Sequence, residues 1–202
     1  MEQNKKSYNL IADKWHEYRM KQPLNKCVID FAARVRPQGK ILDIGCGTGW
    51  PIAKYLTEQG FLVTGIDISE KMLGTANGLG LSGAEFDLCD FFDFRPAEKY
   101  DGIIAFDSFF HFPRDRQAEI YAKASSLMKD GGYLLFTHGN TDGERTGDMF
   151  GESFYSSALE TKAVHKLLAE SGFCIEMSAE NYKDGDGQRD LLIMARKFHT
   201  IF

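Results

Sequence analysis

Gly45, Gly47 and Gly49 alternate with Cys46 and Thr48 immediately after the run Ile41-Leu42-Asp43-Ile44. A glycine-rich turn between the end of a strand and the first turn of a helix lets a charged ligand approach bare backbone N–H groups, with the positive end of the helix dipole beneath it. That chemistry suits a nucleotide-type cofactor. Trp50 stands where a dinucleotide fingerprint has its third glycine, so the pattern is G-x-G-x-G with Asp43 two positions ahead. Asp67, 20 positions after Gly47, ends a second apolar run and is spaced to accept hydrogen bonds from the two hydroxyls of a ribose. The alternative for Asp67 is a carboxylate at the N-terminus of the helix that Ser69 begins. Asp90 could accept from the exocyclic amine of an adenine while Phe91 covers the ring. Asp87 competes for that task, and a solvated loop aspartate beside a core phenylalanine is the plainer reading.

Two histidines could move a proton. His111 lies four residues after Asp107, and His138 ends the run Tyr133-Leu134-Leu135-Phe136-Thr137-His138. Each follows a predicted strand on the side where the glycine turn places a ligand, so either could act as a base, and either could equally be a packing residue. His16, His165 and His199 read as ordinary surface or helix-face positions. The four cysteines form no C-x-x-C pair and the five histidines no H-x-x-x-H, which argues against a zinc site and a disulfide framework.

The elements that must position these residues follow from hydrophobic period. Tyr8, Ile11, Ala12, Trp15 and Tyr18 recur at helical spacing, as do Leu24, Cys27, Val28, Phe31 and Val35, so two helices form an N-terminal cap over 1–37. Strand and helix patterns then alternate. Ser69 caps a helix that its glycines should keep short, and Ser157 with Glu160 reads as a capping box for the last helix. The two final strands, joined by a short turn around Gly185 and Gly187, should pair antiparallel. The expected fold is α/β, a three-layer sandwich with a seven-stranded, mostly parallel sheet in one domain over 1–202. Residues 139–157 are polar and glycine-rich without usable periodicity, and read as a long loop at the acceptor site. With 24 Lys and Arg against 29 Asp and Glu, scattered along the chain, the net charge of −5 disfavours a broad nucleic-acid surface. No signal peptide or apolar membrane span is recognisable, so a cytoplasmic protein is expected.

With these motifs in order, the sequence resembles the class I, Rossmann-like S-adenosylmethionine-dependent methyltransferases of small-molecule type, from about Tyr8 to Lys197. The resemblance rests on Ile41–Gly49, Val63–Ser69 followed by Lys71-Met72-Leu73, Cys89-Asp90-Phe91, Tyr100–Phe112 and Leu127–Gly139. It implies that Asp43, Gly45, Cys46, Gly47 and Gly49 hold the methionine end of the cofactor and Asp67 the ribose. It also implies that Ile68 and Met72 flank the adenine, that Asp90 and Phe91 recognise it, and that Phe106 and Asp107 lie beside the transferable methyl. The product would be S-adenosylhomocysteine. Tyr8 and Tyr155, with Phe154, would face a small organic acceptor, and Arg19 could meet the cofactor's carboxylate. Asp107-Ser108-Phe109-Phe110 lacks the prolines found here in enzymes that methylate nucleic-acid amines. A monomer or homodimer without metal is expected. A cofactor-binding module without turnover, and less readily an NAD(P)-dependent oxidoreductase, are the alternatives.

Overall fold

A computed structural model describes residues 2–198. The apolar run Lys40–Ile44 forms β1, hydrogen-bonded in parallel to β2 (Leu62–Asp67) on one side and β4 (Tyr100–Ala105) on the other. β3 (Ala84–Leu88) flanks β2, and β5 (Met128–His138) flanks β4. β9 (Gly187–Lys197) runs antiparallel to both β5 and β8 (Phe173–Asp184), which closes the seven-stranded order β3-β2-β1-β4-β5-β9-β8. The direction in which strands are added reverses between β1 and β4, and an α/β sheet opens its ligand crevice at such a switch point.

Alternation along the strands builds the two outer layers. Leu42, Ile103, Leu134, Phe136 and Ile193 point to one core, shared with α5 (Glu119–Leu127) and α6 (Thr161–Glu170). Ile41, Ile104, Leu135, Leu192 and Met194 point to the other, shared with α2 (Lys26–Ala32) and α3 (Ile52–Glu58). This is the three-layer α/β/α sandwich expected from the alternating pattern. α1 (Glu2–Met20) lies across the carboxyl end of the sheet, where Ile11 and Ala12 pack against Met72 of α4 (Glu70–Gly78) and against Phe154. α4 is short, as its glycines suggest, and the Ser69 hydroxyl caps it by accepting from the Met72 N–H at 3.2 Å.

Residues 139–157 correct one expectation. Most of the stretch is a second, two-stranded sheet: β6 (Gly143–Met149) pairs antiparallel with β7 (Glu152–Ala158) through a turn at Phe150-Gly151. Both turn residues have positive φ, 54° and 87°, the hand that matches strand twist in a tight hairpin. The backbone ladder supports β6 without an apolar alternation, because almost the whole strand is exposed. The capping box is a second correction. α6 begins after Glu160 without a side-chain cap, and Ser157 stays in β7, its hydroxyl donating to the Phe112 carbonyl at 2.7 Å.

Candidate functional site

The glycine turn leaves β1 with φ of +72°, +55° and +73° at Gly45, Gly47 and Gly49, a left-handed region that side chains rarely adopt. The three glycines answer to different neighbours. A Cβ on Gly45 would lie 2.5 Å from Ser108 Cβ, and one on Gly49 would press on the Phe86 ring at 3.1 Å. A Cβ on Gly47 would meet only Trp15 Nε1, at 3.7 Å, and would project into a cleft that Gly45, Cys46 and Gly47 line together with Asp43 and Asp67. Gly49 serves packing against the helix and sheet instead of facing that cleft.

Asp67 ends β2 and grips the turn. One carboxylate oxygen accepts from the Gly47 N–H and the other from the Ser69 N–H, both at 2.9 Å. The helix-start role therefore holds beside any ligand role, and each oxygen keeps a second lone pair for a diol. Burial raises the Asp67 pKa against the pull of the backbone N–H groups of Ser69, Gly47 and Ile68. Asp43 is 2% exposed, and its Oδ2 has no hydrogen-bond partner among the described residues. Burial, then the Asp67 charge, pushes its pKa up to about 7. The indole N–H of Trp50 is likewise buried without a partner and lines the same cleft. An orphaned carboxylate oxygen and an orphaned donor in one crevice are groups that a polar ligand would satisfy.

Further along the cleft come Ile68, Met72, Cys89 and Phe91, the last stacked on Phe112 with centroids 5.5 Å apart. Asp90 stands just outside, where its Oδ1 accepts from the Phe92 N–H at 2.8 Å and closes its own turn. At the other end lie Phe106 and Asp107. Asp107 has φ of +56° and is fixed by Thr137, whose hydroxyl accepts from the Asp107 N–H at 2.7 Å and donates to its carboxylate at 3.0 Å. Arg189 grips the same carboxylate through two nitrogens, at 3.2 and 2.8 Å, while its guanidinium covers the Phe106 ring at 4.7 Å. Arg19 reaches the cleft as well but is paired at 2.7 Å with Asp186, in the β8–β9 turn. Asp186 also holds Arg189, so one buried carboxylate ties the end of α1 to the residues beneath Asp107.

A second cavity of about 470 Å³ adjoins the cleft, sharing Tyr8, Trp15, Asp107 and His111 with it. His111 stands on this boundary. The Asn4 amide is oriented by Tyr155, whose N–H it accepts at 2.8 Å and whose carbonyl it donates to at 2.9 Å. The same carbonyl lies 2.9 Å from His111 Nδ1, and the Asn4 amide nitrogen 3.0 Å from it; with the ring proton on Nδ1 facing the carbonyl, Nε2, 2.8 Å from the Tyr8 hydroxyl, is the accepting nitrogen. Burial lowers the His111 pKa against the Tyr155 carbonyl and the Asp107 charge, which favours the neutral imidazole. Burial raises that of Tyr8.

His138 lines the second cavity but has no free nitrogen. Its Nδ1 meets the Gly139 carbonyl at 2.7 Å and its Nε2 the Gln117 amide oxygen at 2.8 Å, so it anchors the β5 end. The Tyr155 side chain turns away from the cavity, its hydroxyl donating to Glu144 at 2.6 Å and accepting from the Arg114 N–H at 3.1 Å. Strand alternation explains this: Phe154 points inward against Tyr8, so Tyr155 must point outward, and only its carbonyl serves the site. His16 departs from a bare surface role, since its Nδ1 lies 2.9 Å from the hydroxyl of buried Thr48 in the glycine turn. His165 bonds Ser178, and His199 lies outside the described residues.

The model of a methyltransferase domain matches residues 13–183. The chain belongs to the methyltransferase-domain family. The putative methyltransferase YqeM of Bacillus subtilis is 32% identical over 135 residues, which cover 64% of this chain and 54% of that protein. The magnesium-protoporphyrin O-methyltransferase of Synechocystis is 30% identical over 145 residues, covering 67% and 63%. This methyltransferase domain spans about half the length of the curated relatives it matches. Among solved structures, magnesium protoporphyrin IX methyltransferase from Synechocystis with bound SAH superposes with a TM-score of 0.72 at 21% identity, over 96% of this chain and 97% of that one. At that identity the likeness carries the fold alone.

The methyltransferase domain also uses residues that sequence reasoning passed over. Asn4 sets the orientation at Tyr155 and His111 across separations of 151 and 107 positions, and Arg189 reaches Asp107 across 82. No local spacing could have announced either contact. Trp50 was legible only as the absence of a glycine, although it lines the cleft and buries an unpartnered indole N–H. Among the described residues no helix is long and apolar enough to cross a membrane.

Proposed function

We propose that this methyltransferase domain moves a methyl group from S-adenosylmethionine to a hydroxyl of a small organic acceptor. The observation that carries the reading is the junction of two spaces: a cleft with a bare glycine turn, Asp67 and an unpartnered Asp43 opens at Tyr8 and His111 onto a second cavity. When bound, the cofactor supplies a methyl already activated on a sulfonium. Asp43 would hold its ammonium, Asp67 its ribose, and Ile68, Met72 and Phe91 its adenine, with Asp90 behind them. The chain's own task is then to align the acceptor, exclude water and take one proton. An acceptor hydroxyl at the boundary can donate to the Tyr8 oxygen while the Tyr8 proton passes to His111 Nε2. The Tyr155 carbonyl holds Nδ1–H throughout.

The open second cavity favours turnover over a purely cofactor-binding role. Both spaces are lined from one chain, so a monomer or homodimer suffices, and the chain's negative balance and the small aromatic-walled cavity favour a small molecule over nucleic acid. A cytoplasmic setting belongs to the same reading.

Parallel calorimetric titrations with S-adenosylmethionine, S-adenosylhomocysteine and NAD test the proposal. Binding of both sulfur compounds and not NAD is expected; binding of NAD alone, or of none of the three, would overturn it. Asp67→Ala should weaken S-adenosylhomocysteine binding by about 1.5 to 3 kcal/mol, the scale of charge-assisted hydrogen bonds. An unchanged dissociation constant removes Asp67 from the ribose site. Asp43 adds a pH signature. Below about pH 7 its carboxyl is protonated in the free protein and cannot meet an ammonium, so affinity should rise as pH increases through 7. Asp43→Asn should flatten that rise, and an equally steep one in the variant would discard the assignment.

A further inference from the structure

The second cavity has a wall whose chemistry narrows the acceptor beyond the reading above, on which this inference rests. The wall is one face of the β6–β7 hairpin. Residues directly opposite in an antiparallel pair share a face, so Gly147 goes with Phe154 and Arg145 with Ser156. Phe154 fixes that face as the inner one, because its ring lies 4.7 Å from that of Tyr8. Gly147 therefore lines, on the same face as Phe154, the cavity that Tyr8 and His111 also border. A Cβ there would meet nothing within 4 Å and its φ is not left-handed, so the fold does not require glycine at this position. What the missing side chain leaves is floor space.

Arg145, two residues away on the same face, also lines the cavity. Its guanidinium meets no carboxylate among the described residues, whereas the other arginine of the cavity, Arg189, is paired with Asp107 and Asp186. Asp148 and Asp190 border the cavity too, but they occupy alternate positions of their strands relative to Arg145 and Arg189. Among the described residues the inward face thus offers one unneutralised cation, the exposed guanidinium of Arg145. Two residues of strand span about 7 Å, the length of one aromatic ring with its substituents.

We propose that the acceptor is a flat, ring-bearing hydroxy acid. Its ring lies over Gly147 against Phe154, its hydroxyl reaches Tyr8, and its acidic substituent, carboxylate or phosphate, is read by Arg145. The shared chemistry is an anion held by a guanidinium at the far end of an aromatic slot.

Two fluorescent probes test this with and without S-adenosylhomocysteine: the aromatic anion anilinonaphthalene sulfonate and its uncharged twin N-phenylnaphthylamine. The wild type should bind the anion more tightly. Arg145→Gln should weaken anion binding by about tenfold, the scale of one charge-assisted contact, and leave the uncharged probe within about twofold. Gly147→Leu should weaken both by more than about tenfold, since its side chain fills the slot, while S-adenosylhomocysteine binding persists in both variants. Equal affinity of the two probes for the wild type, or no effect of Arg145→Gln, overturns the acid-reading role. Probe binding by Gly147→Leu at wild-type strength overturns the wall. Loss of S-adenosylhomocysteine binding in the wild type itself would instead count against the methyl-transfer reading, which the probe titrations made without it keep separate. Competition by salicylate or by phenyl phosphate then separates carboxylate from phosphate.

Discussion

Gly47→Val is expected to abolish detectable S-adenosylhomocysteine binding, a loss of more than about a hundredfold, while far-ultraviolet circular dichroism stays that of the wild type. The expectation rests on where a side chain would go. At φ of +55° a branched residue strains the turn by about 1 to 3 kcal/mol, and its Cβ enters the cleft with only Trp15 Nε1 nearby, at 3.7 Å. The folded chain can bear that, because no backbone or core atom stands in the way. The cleft cannot, because the added methyl groups occupy its space beside Gly47 and Asp67, which line it together. Gly45→Ala provides the contrast. Its Cβ would lie 2.5 Å from Ser108 Cβ, so the cost should appear as a lowered melting temperature. Binding by Gly47→Val within threefold of wild type would show that the ligand does not pass over this turn.

That contrast also shows where sequence reasoning reached its limit. Three glycines after a buried strand announced a turn open to close approach, since chain-reversal signals are local. Which neighbour each glycine accommodates is not local: Ser108 arrives from the turn after β4 and Phe86 from β3. The sheet was legible because Leu42, Ile103, Leu134 and their alternating partners had to face two cores. The β6–β7 hairpin was hidden because β6, in Gly143-Glu144-Arg145-Thr146-Gly147, faces a cavity on one side and solvent on the other, and neither selects an apolar period. That hairpin then decided the site's finer points. Its alternation turned Tyr155 outward and Phe154 inward, and made a backbone carbonyl the group that orients His111. His111 itself was readable as a base or as a packing residue. The contacts that bear on that choice come from Asn4 and Tyr8, more than 100 positions away.

Replacing His111 should then reduce turnover with an aromatic hydroxy acid by about 10²- to 10⁴-fold, the range of a positioned general base, without changing S-adenosylhomocysteine affinity. Tyr8→Phe keeps the ring against Phe154 but removes the hydroxyl between acceptor and imidazole, so it should lose turnover over a similar range. His111→Gln can still bond the Tyr155 carbonyl through its amide yet cannot hold a proton, and its failure to recover activity would separate proton acceptance from positioning. The pH profile carries the sign. Burial lowers the His111 pKa, so the neutral, accepting form persists to pH values below the ordinary histidine midpoint. kcat at saturating cofactor should be flat near neutrality and fall only on acidification below about pH 6.5, the ordinary histidine value. The second-order rate constant for the cofactor should fall earlier, near pH 7, because it includes protonation of Asp43 in the free protein. Two acid limbs at different pH, the lower one absent from the residual activity of His111→Ala, are the expected result. A kcat profile that His111→Ala leaves unchanged in shape and height would return His111 to a packing role and require that the acceptor arrive already deprotonated.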